Sequence, residues 1–149
     1  MICKDYKDLT QEEQQLVDEC WEAQKLSYSP YSKFSVGCSI LMENGSIMKG
    51  ANQENASYPL CLCAERVALS YAAMHHPNER IKSIAISTSA NLDTDQKPAA
   101  PCGACRQVLF EYKKRQDEDF DILLVGKDNK CWIYTIHELL PHTFDGELL

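Results

Sequence analysis

Hydrophobic positions along the chain switch between two periods, and the switches mark out its elements. Thr10 and Glu13 have the spacing of a capping box. Leu16, Val17, Cys20, Trp21, Ala23 and Leu26 then recur at helical spacing, which predicts a first helix over about 11–26. "SYSPYSKFS" breaks that period. Val36, Cys38, Ile40 and Met42 alternate as a strand up to Asn44-Gly45, a strong hairpin signal, so a second strand over about 46–53 returns antiparallel to the first.

"YPLCLCAERVALSYAAM" reads as a loop entering an amphipathic helix from Cys63 to about His75, and Pro77 ends the periodicity. Ile81, Ile84, Ile86 and Ser87 read as a buried strand, and "TSANLDTDQKPAAP" is one long loop. A helix over about 103–115 leads to the apolar strand Ile122 to Val125 and another strand around Trp132 to Thr135. The "GKDNK" link between these strands is too short for a parallel crossover and predicts a hairpin. Ile136 to Leu140 predicts a short last helix. The order α β β α β α β β α implies one α/β domain over 1–149, with a mixed five-stranded sheet flanked by helices and a loose tail over 1–9.

Composition narrows the possible functions. The chain has 149 residues, 44% hydrophobic and 25% charged, which suits one soluble globular domain. A net charge of −7 argues against nucleic acid as the main partner, since that affinity rests on clustered Lys and Arg. The one basic run, Lys113-Lys114-Arg115, falls where the carbonyl end of a helix favours cations. No apolar run is long enough to span a bilayer, and "MICKDYKDL" has no signal-peptide core, so a cytoplasmic location and no membrane partner are expected.

Eight cysteines without an export signal suggest reduced thiols rather than a disulfide framework. Cys102 and Cys105 form a C-x-x-C that opens a helix, and Cys63 opens another. A redox pair also sits at such a helix start, but it would give no role to Cys63 or to the neighbouring Glu65. A structural zinc site needs a fourth protein ligand, and His75 and His76 lie about three turns from Cys63, too far to supply one. Three thiolates with one open position describe a catalytic zinc site. Cys20, Cys38 and Cys131 read as core or half-buried residues and Cys3 as part of the exposed tail. Cys61, two residues from Cys63 but ahead of the helix, is not counted among the ligands, and a place beside the metal is only the lesser reading of it.

"CAER", "PCGACRQ", "SPYSKFSVG" and "ANQENASYP" together resemble the zinc-dependent cytidine deaminases over about residues 10–144, with the all-cysteine form of the metal site. The resemblance implies the three-layer α/β/α fold of that family, one Zn²⁺ per chain on Cys63, Cys102 and Cys105, and a homotetramer. It also implies conversion of free cytidine and 2′-deoxycytidine to the uridines plus ammonia, in pyrimidine salvage. Gln53 and Cys38 depart from the family pattern, which usually has an apolar β-branched residue and alanine there. Neither departure touches the chemistry.

Within this frame Glu65 is expected to carry protons from water to N3 of the base and on to the departing ammonia. Three thiolates leave a zinc site at net −1. Arg66 is therefore expected to donate to the sulfurs, with Gln107 as a further donor and Arg106 as a structural group. The resemblance assigns Asn52 and Glu54 to the ribose hydroxyls, chiefly the 3′-OH, and a carboxylate there would repel a phosphate. It makes Phe34 a wall of the base pocket and the Ala64 backbone a donor to the base carbonyl. It also implies composite active sites, with Phe144 reaching a neighbouring subunit's pocket and Tyr58 at a subunit contact. An editing deaminase of RNA or DNA, a non-catalytic zinc module and an antibiotic nucleoside deaminase are the competing readings.

Overall fold

A computed structural model of the chain describes residues 1–89, 98–126 and 129–148. The strands are β1 (Ile2–Asp5), β2 (Val36–Met42), β3 (Ile47–Ala51), β4 (Ile81–Thr88), β5 (Asp121–Val125) and β6 (Lys130–Tyr134). The helices are α1 (Gln11–Gln24), α2 (Ala64–His75), α3 (Gly103–Gln116) and α4 (Ile136–Leu139). The strands form one sheet in the order β1-β6-β5-β4-β2-β3. β4 and β5 are parallel and every other neighbouring pair is antiparallel.

The expectation of five strands and a loose tail is corrected by β1. Ile2 to Asp5 pair antiparallel with Lys130 to Ile133, the Met1 ammonium meets the Glu138 carboxylate, and Lys4 Nζ donates to Glu13 Oε1 at 3.2 Å. Tyr6 stacks on Trp21 and Leu9 is buried against the core beneath α1. Most of β1 is exposed, so it has none of the apolar alternation by which strands are read from sequence.

Alternation on the sheet builds two cores and hence three layers. Leu16, Val17 and Cys20 of α1 cover Leu41, Ala85, Leu123 and Ile133 on one face. Ala68 and Leu69 of α2, Leu109 and Phe110 of α3, and Leu139 of α4 cover Ile40, Ile84, Ile122 and Leu124 on the other. The α/β/α sandwich expected from the resemblance is the fold observed.

Local chemistry sets the element ends. Thr10 Oγ1 accepts from the Glu13 amide at 3.2 Å, and Glu13 Oε2 accepts from the Thr10 amide at 2.6 Å, so the capping box at the start of α1 is complete. α1 stops at Gln24, two residues before the expected end, and Leu26 is exposed. Gly45, at φ +83°, turns the β2–β3 hairpin. The last two strands form the expected antiparallel hairpin. The connection expected over 88–101 and the link at 126–130 lie partly outside the described residues.

One glycine decides where α2 lies. A Cβ on Gly50 of β3 would stand 2.4 Å from the Ala68 nitrogen and 2.6 Å from the Ala64 carbonyl oxygen. Only hydrogen fits between strand and helix, so α2 packs directly on β3 with its small buried residues Ala64, Ala68 and Ala72. That contact fixes the first turn of α2, which carries Glu65.

Candidate active site

Cys63 and Cys102 are the N-cap residues of α2 and α3, with extended backbones at φ −72°, ψ 148° and φ −64°, ψ 164°. Neither thiol caps its own helix. Their carbonyls accept the first helical bonds, from the Val67 amide at 3.1 Å and the Arg106 amide at 2.9 Å, and with no cap bond to make both side chains can turn towards each other. Cys105 lies one turn into α3 and is fully buried. The sulfurs of Cys63, Cys102 and Cys105 lie within 4.8 Å of one another, those of Cys63 and Cys102 being 4.0 Å apart.

This donor set fits zinc. A tetrahedral zinc–thiolate shell with bonds of about 2.3 Å holds its sulfurs about 3.8 Å apart, close to the spacing seen. The Cys63 and Cys105 thiols also perturb each other. Hydrogen bonding from Cys105, together with the Arg66 guanidinium, pulls the Cys63 thiol down to about 5, and the Cys63 thiolate in turn drives the Cys105 thiol far above its usual range. A cation among the sulfurs would favour the thiolate form of both Cys63 and Cys105. Two helix N-termini and a guanidinium supply part of that positive potential, and zinc supplies the rest.

Arg66 reaches one of the sulfurs. Its Nη2 donates to Cys63 Sγ at 3.9 Å and to the Cys61 carbonyl at 3.3 Å, while its Nε is buried without a partner among the described residues. Gln107 does something else. Its Nε2 donates to the Phe144 carbonyl at 2.8 Å, tying down the C-terminal segment, and no hydrogen bond joins it to the sulfurs. Arg106 is structural, donating to the carbonyls of Pro101 and Leu139. Cys61 stands outside the sulfur cluster, its Sγ accepting from the Asn55 amide at 3.3 Å.

Glu65 is 4% exposed. Burial pushes its carboxyl above the ordinary range, and the Cys63 thiolate adds to the shift. Its own amide, the Cys105 thiol and Arg66 pull the other way. A carboxyl so placed, two residues along the chain from Cys63 and shielded from bulk water, holds a proton more readily than an exposed one and can pass it to a neighbouring group.

Cys63, Cys102 and Glu65 open onto a cleft of about 270 Å³ lined also by Phe34, Asn52, Glu54 and Ala64. Asn52 and Glu54, both on loops, give it polar groups. Asn52 Oδ1 accepts from Ser27 Oγ at 2.5 Å and from the Val36 amide at 2.8 Å, and Asn52 Nδ2 donates to the Phe34 carbonyl at 2.8 Å. These partners fix the orientation of the amide and leave one N–H to offer. Glu54 Oε2 accepts from the amides of Tyr31 and Ser32 at 2.9 and 3.2 Å, and Oε1 accepts from the Ser32 hydroxyl. An adjoining hollow of about 260 Å³ shares Glu54 and Cys61 and carries Tyr31 and Tyr58, whose rings meet edge to face at 5.9 Å.

The cleft therefore brings together Cys63, Cys102, Glu65, Phe34, Asn52, Glu54 and Ala64, with Cys105 and Arg66 behind it. Tyr58 stands in the adjoining hollow. Phe144 is not brought to its own chain's cleft, and its ring is 64% exposed. The serines that hold Asn52 and Glu54 were not singled out from sequence. Their one signal was the recurrence of serine through "SYSPYSKFS", which is also ordinary loop composition.

Comparison with known proteins agrees with this geometry. The family described as "Cytidine and deoxycytidylate deaminase zinc-binding region" matches residues 10–116. The chain is 42% identical over 134 residues to a cytidine deaminase of Halalkalibacterium halodurans, a match covering 90% of this chain and 95% of that one. It is 34% identical over 140 residues to a probable cytidine deaminase of Dictyostelium discoideum, covering 93% and 88%. A crystal structure of cytidine deaminase from Burkholderia pseudomallei superposes with a TM-score of 0.77 at 34% identity, covering 91% of this chain and all of that one. With three thiols set for zinc, a buried carboxyl beside them and these matches over most of its length, the chain belongs to the zinc-binding cytidine and deoxycytidylate deaminase family.

Proposed function

We propose that the protein hydrolyses free cytidine and 2′-deoxycytidine to uridine and 2′-deoxyuridine, releasing ammonia, as a cytoplasmic enzyme of pyrimidine salvage. The observation that carries this reading is that one cleft is lined by a buried Glu65, by two thiols of a three-thiol cluster, and by Asn52 and Glu54. Water adds to C4 of the base, the C4–N4 bond breaks, and the nitrogen leaves as ammonia. Bound zinc, held by Cys63, Cys102 and Cys105, supplies a Lewis acid that makes water nucleophilic near neutral pH. Glu65 takes a proton from the water, delivers it to N3, and carries the second proton to the departing amine. Its raised pKa suits it to hold each proton between transfers. Arg66 withdraws charge from the Cys63 sulfur, and the Ala64 amide faces the base carbonyl.

Asn52 and Glu54 suit a sugar hydroxyl. Asn52 has one N–H to give and Glu54 has acceptor capacity, so one hydroxyl can accept from the first and donate to the second. That pattern fits the 3′-OH common to both nucleosides, and the Glu54 charge disfavours a phosphate. The active unit is a homotetramer with composite sites. The exposed rings of Tyr58 and Phe144 support this, since a neighbouring subunit would bury them.

Cytidine, deoxycytidine, cytosine and a cytosine-containing oligonucleotide assayed side by side test this reading. Turnover of both nucleosides and neither of the others is expected. Preference for the oligonucleotide would replace it with an editing activity.

A further inference from the structure

The loop from Ser27 to Ser35 does more than line the cleft. Lys33 takes the left-handed conformation at φ +58°, unusual for a residue with a side chain, and its amide donates to the Ser29 carbonyl at 3.1 Å. The turn sets the Ser32 hydroxyl between two partners. The Phe34 amide donates to Ser32 Oγ at 3.0 Å, and Ser32 Oγ donates to Glu54 Oε1. With a lone pair held by Phe34, the hydroxyl rotor is no longer free, and its one proton points at the carboxylate. The Tyr31 and Ser32 amides hold the other oxygen, Oε2, so the plane of the carboxylate is fixed at both ends. The same hydroxyl, the strongest influence on Glu54, holds that carboxyl below its usual range and so keeps it an acceptor.

We propose that Ser32 is a positioning residue for sugar recognition, aiming Oε1 of Glu54 at the hydroxyl of the bound nucleoside without itself touching the substrate. The proposal rests on the assignment of Glu54 to the 3′-OH. An unanchored Glu54 side chain would have to be ordered each time substrate binds. That cost falls on ground-state and transition-state binding alike, and so on KM rather than kcat.

The test compares cytidine with 3′-deoxycytidine, which lacks the hydroxyl in question, on the zinc-loaded enzyme. Ser32→Ala is expected to raise KM for cytidine about tenfold, with kcat within about twofold and KM for 3′-deoxycytidine little changed. Ser32→Thr, which keeps the hydroxyl, is expected to restore the cytidine KM. A general loosening of the loop would raise both KM values together, so an equal rise for the two substrates overturns the proposal, as does an unchanged KM for cytidine. If thermal unfolding shows the alanine variant to be unstable, Ser32→Cys, similar in size and a poor donor, is read by the same criteria. Glu54→Ala separates the two layers of inference. If it fails to narrow the difference between the substrates, the ribose assignment falls, and the Ser32 proposal with it. If it narrows the difference and Ser32→Ala does not, the Ser32 proposal alone falls.

Discussion

Cys63 and Cys102 occupy the same position, the N-cap, on two different helices, and their sulfurs meet 4.0 Å apart. An N-cap side chain ordinarily folds back onto its own helix. Here both turn away from their helices towards a shared point, and Cys105, one turn along α3, completes the set. The metal site is therefore a property of how α2 and α3 are placed, and two loops give their last residues to it.

Removing one member of this set should remove the metal, while removing its neighbour should not. Metal analysis of Cys102→Ala is expected to show most zinc lost, and Cys61→Ala is expected to keep the wild-type stoichiometry. Equal loss in both would bring Cys61, now bonded to the Asn55 amide, into the coordination shell.

Gly50 is the point at which stability and the site meet. Gly50→Ala would press a methyl group against the α2 backbone at 2.4 and 2.6 Å, where no flexible side chain can give way. A loss of about 1–3 kcal/mol or more in denaturant unfolding is expected, as for an overpacked core. Reduced activity of the folded fraction should accompany it, because α2 carries Glu65. An unchanged unfolding midpoint would mean that α2 can move away from β3 at little cost.

The capping box of α1 should appear in the pH dependence of stability. Burial raises the Glu13 carboxyl, but hydrogen bonds from Thr10 and Lys4 outweigh it and the net shift is downward from 4.5. A depressed folded value contributes stability that is present above the unfolded pKa and lost as pH falls through the folded one. Wild-type protein is expected to lose more stability than Glu13→Gln between about pH 5 and pH 3, measured by denaturant unfolding at each pH. Parallel curves for the two proteins would show that Glu13 does not couple protonation to folding.

Composite sites can be tested by mixing subunits. Phe144→Ala and Glu65→Gln chains, each nearly inactive alone at low substrate, are expected to regain part of the wild-type activity when co-assembled, since some sites then pair an intact Glu65 with an intact Phe144. No recovery despite demonstrated subunit exchange would place the action of Phe144 within its own chain or nowhere.

What could be read before the fold was known follows from which signals are periodic or chemically unusual. Alternation in Val36 to Met42 and helical spacing from Leu16 marked elements because their buried faces face one layer. Cys63, Glu65, Cys102 and Cys105 stand out because three thiols at two helix starts, with an acid beside one of them, have few ordinary explanations together. β1 escaped because a mostly exposed edge strand is held by backbone pairing with β6, which leaves no mark on side-chain pattern. The role given to Gln107 was misplaced for a similar reason. Its position beside Cys105 was legible, but the direction of its amide depends on the C-terminal segment returning to α3, where Lys114 also pairs with Glu147. Ser27 and Ser32 were hidden because loop serines are common and their importance lies in contacts 25 and 22 residues away.

The most direct test of the catalytic assignment is turnover of cytidine by Glu65→Gln, with zinc content and thermal unfolding measured on the same preparation. The amide fills the space of the buried carboxyl but cannot accept and return a proton. Fold and metal are therefore expected to survive, while kcat/KM falls by about 10²- to 10⁴-fold, the usual contribution of general acid–base catalysis. A zinc-loaded, folded variant that keeps more than about a tenth of wild-type turnover would contradict the role given to Glu65.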